Sequence, residues 1–296
     1  MNASVESINQ LALEEMNVRA FYRAQVLFRE NATKNPCFIT LNNLGVFYAY
    51  EGINKPDCSR RSAEKLGIRY LKKAETYQRS HLTYSALGDI YFKNRDYEEA
   101  GMSFRQACEL VSDYKTLYNY AISLYELRAY KEAMNWFEKA LHNCDISNFA
   151  EMYASYLYTL LHSDRDLCCE KLPCLLKDDT NMMESDKFII SYLCDELLTA
   201  ESLIKPMLKR FHLGGDTIAM IFSCLFRLHK DAEAAELLKL VTRKLEGYEY
   251  NVKLEIKQIN KIYSDVSYRN KMIASFRYAG SLLPQCFYYG CHLHNN

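Results

Sequence analysis

Residues 84–91 read Tyr84-Ser85-Ala86-Leu87-Gly88-Asp89-Ile90-Tyr91, and Ala100, Phe104 and Ala107 follow them. Apolar residues three and four apart place one buried stripe on each of two successive helices. Thirty-three residues further on, Ala121, Ala133, Phe137 and Ala140 repeat the pattern, with Asp113 between the copies where a turn is wanted. Upstream, Leu41, Leu44, Gly45 and Tyr48 reproduce its first half. Its second half, Gly67, Leu71 and Ala74, arrives ten residues late. The excess falls in Glu51–Arg61, which holds Gly52, Pro56 and Asp57, so a longer loop is expected there. One period earlier, Ile8, Leu11, Ala12, Ala24, Phe28 and Pro36 match again.

Glycine inside a helix costs about 1 kcal/mol against alanine. Gly45 and Gly88, at the same repeat offset, therefore need a reason. Close approach of the partner helix, carrying the small Ala100 opposite Gly88, supplies it. Asn94 is expected to close the first helix of this pair, and Asp96 to cap the second, with Glu99 completing a capping box. A helix pair cannot bury its apolar face alone, so neighbours must stack in series.

At these positions the sequence resembles the tetratricopeptide repeat (TPR) family. Residues 81–113 carry the best copy through Tyr84, Leu87, Gly88, Tyr91, Ala100, Phe104 and Ala107. Residues 114–146 lack the Gly and the first aromatic, 38–80 carry the insertion, and 5–37 are weak. The resemblance implies an all-α, right-handed solenoid of antiparallel helix pairs, with four such repeats in 1–146. Residues 147–248 read as degenerate helical repeats continuing it, and 249–296 as capping helices and tail. In 147–248 the expected helices include Phe149–His162, Asp186–Ala200, Glu201–His212, Thr217–His229 and Asp231–Leu245. Asp166–Leu176 is interrupted by Pro173, and Gly214-Gly215 and Gly247 are expected breaks. Val252–Tyr263 follows, and Ser264–Ser281 is a candidate terminal helix.

The resemblance also implies a concave groove lined by the first helix of each pair. Its offsets give Asn42, Asn43, Val46 and Tyr50, then Ser85, Asp89, Phe92 and Lys93. The third repeat adds Lys115, Tyr118, Asn119, Ile122, Tyr125 and Glu126, and Glu151, Ser155 and Tyr158 follow less clearly. Side-chain amides bond an extended peptide backbone, and tyrosine adds contact area at low entropic cost. The candidate groove residues are Asn42, Asn43, Tyr50, Asp89, Phe92, Lys93, Lys115, Tyr118, Asn119, Ile122, Tyr125 and Tyr158. Asn43, Lys93 and Asn119 are reminiscent of the set with which some TPR proteins hold a partner's terminal carboxylate, but Asp89 would repel one. The alternative occupants of the groove are water and the chain's own C-terminal segment.

Composition narrows the function classes. The 296 residues carry 37 basic and 37 acidic side chains, a balance that argues against a nucleic-acid or membrane-surface binder. Residues 145–204 hold 12 acidic and 4 basic side chains, and 205–278 hold 8 acidic and 14 basic. Neighbouring segments of opposite sign attract each other, a partner of matching charge, or merely water. Eleven cysteines, odd in number and irregularly spaced, read as buried thiols in a reducing, cytoplasmic setting. Two clusters hold soft ligands: His162, Cys168, Cys169 and Cys174, and Cys286, Cys291, His292 and His294. Neither has paired zinc-site spacing, so no metal or cofactor is expected. No phosphate loop, zincin helix or nucleophile elbow is present. Acidic pairs such as Glu98-Glu99, Asp178-Asp179 and Asp195-Glu196 do not face each other on a helix.

The expected function is a non-enzymatic scaffold or adaptor binding a peptide or protein segment in the groove. The alternatives are a peptide-sensing regulator and a metal protein built on the C-terminal Cys/His cluster. Oligomeric state is open, because Phe287, Tyr288 and Tyr289 offer an apolar tail that a neighbour could take.

Overall fold

The computed structural model describes residues 4–52, 59–176, 182–209, 214–246, 252–278, 280, 282–283 and 285–291. All regular structure among them is α-helical. The chain forms two units, residues 1–144 with 281–296, and residues 145–280. No helix among the described residues is long and apolar enough to cross a membrane.

The first unit holds α1 (Val5–Asn17), α2 (Phe21–Lys34), α3 (Phe38–Tyr50), α4 (Arg60–Glu75), α5 (His81–Lys93), α6 (Tyr97–Leu110), α7 (Tyr114–Glu126) and α8 (Tyr130–His142). Successive helices pack as pairs, and each pair meets the next through its second helix. Short connections make the partners antiparallel. Ser4, Ser59, Ser80 and Asp113 each accept a hydrogen bond from a first-turn N–H and so fix four helix starts. The repeat positions form the core: Ala24, Leu71, Ala100, Phe104, Ala107, Ala121, Ala133, Phe137 and Ala140 are at most 1% exposed. The result is an all-α helical repeat solenoid. Pro56 and Asp57 of the expected loop lie outside the described residues.

Each pair in this unit turns on one residue in the left-handed region: Arg19, Gly52, Arg95 and Arg128, at φ 58°, 82°, 66° and 61°. All four share one repeat offset. At Arg95 the turn is closed by two backbone bonds, Arg95 N to Phe92 O (2.9 Å) and Asp96 N to Tyr91 O (2.9 Å). These satisfy carbonyls that the helix end leaves open. The same six-residue bond recurs as Ala20 N to Glu15 O (2.8 Å) and Ala129 N to Leu124 O (2.9 Å). Asn94 is the C-cap of α5 as expected. Asp96 occupies the N-cap position of α6, but its side chain makes no capping bond: its backbone sits at ψ 67°, outside the extended conformation of the four capped starts. Gly88 does sit against the paired helix, but it faces the Phe104 ring rather than Ala100.

The second unit holds α9 (Ile146–Ser163), α10 (Arg165–Leu175), α11 (Glu184–Leu193), α12 (Leu197–Lys209), α13 (Gly215–Arg227), α14 (Asp231–Glu246), α15 (Val252–Ser264) and α16 (Val266–Ser275). Pro173 lies within α10 and Pro206 within α12. The break expected at residues 200–201 falls instead at Cys194–Glu196, where Asp195 adopts φ 73°. His229, at φ 56°, makes the next such turn. Thus α11–α12 and α13–α14 carry the same backbone device as the first unit, although their side-chain motif has eroded. The segments of opposite charge do pair: Arg227 bonds Asp195, and Lys230 reaches Glu201 at 2.5 Å. Such surface pairs contribute little to stability. Gly247 lies outside the described residues.

The terminal helix is shorter than expected, ending at Ser275. Arg269 ties it down by donating to the carbonyls of Ile262 (3.0 Å) and Tyr263 (2.9 Å) at the end of α15, with its guanidinium 4.5 Å from the Phe226 ring centre. Beyond α16, Tyr278 stacks on Tyr158 at 3.9 Å and its hydroxyl lies 2.9 Å from Ser155 Oγ.

Burial, with the nearby Glu151 carboxylate, pushes the Asp186 carboxyl from 3.8 up to about 6. The folded state thus holds this proton more tightly than the unfolded chain. The contribution is complete below about pH 4 and is lost as pH rises through 6. Allowing for partial exposure, it is about 2 kcal/mol. Urea unfolding of the second unit should accordingly show lower stability at pH 7 than at pH 5, and Asp186→Asn should flatten that difference. An unchanged slope in the variant would assign the pH dependence elsewhere.

Candidate functional site

Three asparagine side chains of the first unit converge on residues 287–289. Asn9 on α1 and Asn42 on α3 stand one 33-residue period apart, and Asn43 follows directly. All three are buried. Asn42 Oδ1 accepts from Thr83 Oγ1 on α5 at 2.6 Å, which turns its amide nitrogen toward the carbonyl of Phe287 at 3.1 Å. Asn43 takes both main-chain groups of Tyr289. Its Oδ1 accepts the Tyr289 N–H at 2.7 Å, and its Nδ2 donates to the Tyr289 carbonyl at 3.0 Å. Asn9 Nδ2 adds a second donor to that carbonyl at 3.2 Å, while Asn9 Oδ1 accepts from Asn43 Nδ2 at 2.5 Å. One side chain thereby pairs with a residue as a neighbouring strand would.

Aromatic rings flank this grip. Phe287 lies 5.7 Å from Tyr50, Tyr288 stacks on Phe28 at 5.8 Å, and Tyr289 meets Phe38 edge-on at 5.1 Å. Tyr50 is held in turn: its hydroxyl donates to Asp89 Oδ2 at 2.6 Å, and Lys93 Nζ donates to the same oxygen at 2.6 Å. Lys93 also lies 4.9 Å from the Tyr50 ring centre. Burial, and then the Asp89 carboxylate, raise the Tyr50 phenol well above its ordinary value, so it remains a neutral donor at any physiological pH. Beside the docked segment a cleft of about 730 Å³ remains, lined among others by Leu13, Met16, Arg19, Phe21, Glu51 and Lys115.

Residues 82–112 match the family model of the tetratricopeptide repeat. That stretch, α5 and α6, is a tetratricopeptide repeat. Among solved structures, a tetratricopeptide repeat protein from Parabacteroides merdae aligns at TM-score 0.59 and 13% identity, covering 86% of this chain and 98% of that one. PilF from Pseudomonas aeruginosa aligns at TM-score 0.49 and 14% identity, covering 86% and 96%. No curated protein matches the sequence. At these identities the likeness concerns the fold alone. TPR repeats in general mediate protein–protein interaction.

Of the residues expected along the TPR groove, Asn42, Asn43, Tyr50, Asp89 and Lys93 come together, and Lys115 lines the adjoining cleft. Asp89 pairs with Lys93 and so removes the positive charge that a terminal carboxylate would need. Other expected residues serve helix packing. Phe92 meets Tyr97 at 5.3 Å, Tyr118 meets Phe137 at 5.7 Å, and Tyr125 meets Tyr130 at 5.5 Å. Ile122 is 2% exposed. Tyr158 belongs to the second unit, where it is covered by Tyr278. Asn119 Oδ1 and Ser85 Oγ are buried without a hydrogen-bond partner among the described residues. They occupy the repeat offsets of Asn43 and Asn42, at the next rungs of the polar ladder.

Two participants escaped the sequence reading. Asn9 was legible as the residue one period before Asn42. Thr83 carries no motif, because its role is to orient another side chain. As for metals, no group of three or more candidate ligands comes together among the described residues. Cys168 and Cys194 sulfurs approach to 3.9 Å. The Cys174 side chain, His292 and His294 lie outside the described residues.

Proposed function

We propose that the protein is a non-enzymatic scaffold or adaptor that binds an extended peptide or protein segment on the Asn9–Asn42–Asn43 ladder of its first unit. One observation carries this reading: a stretch of main chain is gripped there by paired side-chain amides, with both polar groups of Tyr289 satisfied by Asn43. Such bonds are independent of the bound side chains, so the flanking rings of Phe28, Phe38 and Tyr50 would set preference. The described cysteines are free thiols, several of them buried, which supports a reducing, cytoplasmic setting.

A phage-displayed library of random dodecapeptides, panned on the full chain, tests the proposal. Measured on a Phe287→Ala/Tyr289→Ala background, where the chain's own residues hold these amides less tightly, retained peptides should lose at least tenfold in affinity on Asn43→Ala, because two hydrogen bonds of about 1 kcal/mol each are removed. Circular dichroism should stay native. A library that yields no binder, or binders indifferent to Asn42→Ala and Asn43→Ala, would show that the ladder is not the binding surface.

A further inference from the structure

The first unit's groove already holds a ligand, and that ligand is part of the same chain. Residues 285–291 follow the second unit in sequence but group with the first. Their side chains lie on the core's surface more than within it: Phe28 and Phe47 are 1% exposed, whereas Phe287, Tyr288 and Tyr289 are half-buried, and Cys291 alone of the segment joins that core. The main chain is held by side-chain amides, not by helix or sheet. Gly290 then turns at φ 77°, ending the extended stretch. Beyond the docked segment, Ser85 Oγ and Asn119 Oδ1 are buried at the next rungs without a partner among the described residues.

We propose that residues 285–291 are a built-in competitor for this groove, displaced by an extended peptide of the same chemistry: two or three consecutive aromatic side chains on a main chain open to Asn42 and Asn43. The proposal rests on the groove reading above. It adds that an external ligand meets the groove only in the fraction of molecules whose own segment is undocked. Its apparent dissociation constant is raised by the inverse of that fraction. A tethered segment competes at a high effective concentration, so this fraction is small.

The probe is a fluorescent peptide of residues 285–291 with blocked ends and serine in place of both cysteines, followed by anisotropy on full-length protein. The variant Phe287→Ala/Tyr289→Ala weakens the tethered copy and leaves the groove intact. It should bind the peptide at least tenfold more tightly than the wild-type chain, and adding Asn43→Ala should abolish that gain. Equal affinities for wild type and a natively folded variant would overturn the inference.

A second measurement needs no variant. Burial pushes the Cys286 thiol up to about 12, so alkylation at pH 8 is slow while the segment is docked. Saturating peptide should speed carbamidomethylation of Cys286 and Cys291 at least fivefold, read by mass spectrometry of the C-terminal tryptic fragment. An unchanged rate with peptide bound would also overturn it. If library peptides still depend on Asn43 while competition fails, only the built-in competitor is lost. If they do not depend on Asn43, the groove reading itself fails.

Discussion

Tyr118→Ala is expected to destabilise the first unit by about 3–5 kcal/mol, the range for emptying a large aromatic site in a packed core. The side chain is fully buried. Its ring packs edge-on to Phe137 of α8 at 5.7 Å, and Phe137 is itself a repeat-core residue. Truncation therefore opens a cavity between α7 and α8 that their stacked neighbours restrain from collapsing. Thermal unfolding followed by circular dichroism should show the midpoint lowered by roughly 10 °C or more. Tyr125→Ala, whose ring faces Tyr130, should lower it less. A Tyr118→Ala protein with unchanged melting but weakened peptide binding would place that side chain in the groove and not in the core.

The second large effect concerns two glycines that face each other. A Cβ added at Gly67 on α4 would lie 2.7 Å from the Gly45 carbonyl oxygen and 2.8 Å from the Ala49 nitrogen. Both obstacles are backbone of α3 and cannot rotate aside. Gly67→Ala should force the pair apart at a cost of about 3 kcal/mol, offset by about 1 kcal/mol of helix propensity. The net loss is then about 2 kcal/mol in urea unfolding. Gly101 is the internal control. Its nearest obstacle, Ser123 Oγ, stands 3.4 Å away, so Gly101→Ala should be neutral or stabilising by up to about 1 kcal/mol. Equal effects at the two positions would mean that helix propensity, and not contact between α3 and α4, decides both.

These cases show what the residues disclosed and what they hid. Helical pairing was legible because burial imposes a period, and Ala100, Phe104, Ala107, Ala133 and Phe137 keep it. The contact at Gly45 was legible because an unfavourable residue recurred at one offset. The left-handed turns were not: arginine recurs at one repeat offset as Arg19, Arg95 and Arg128, but arginine carries no preference for that conformation, and Asp195 and His229 adopt it with other side chains. Asp96 misled for a related reason: a good capping residue stands at the right position, but the left-handed turn before it leaves its backbone outside the extended conformation that capping uses. In the groove, Asn42 and Asn43 were legible from repeat offset. Tyr118, Tyr125 and Phe92 obey the same offsets yet pack between helices, because large rings on a first helix reach the partner helix as well as the concave side.

The bond from Asn43 to Tyr289 spans 246 residues, whereas helix pairs close over a few tens. At about 5–20 residues per second of ribosomal elongation, the asparagines are finished roughly 12–50 s before Tyr289 is made. Over that interval the nascent first unit displays its ladder with no tethered competitor, so a partner translated nearby has its best access before the chain is complete.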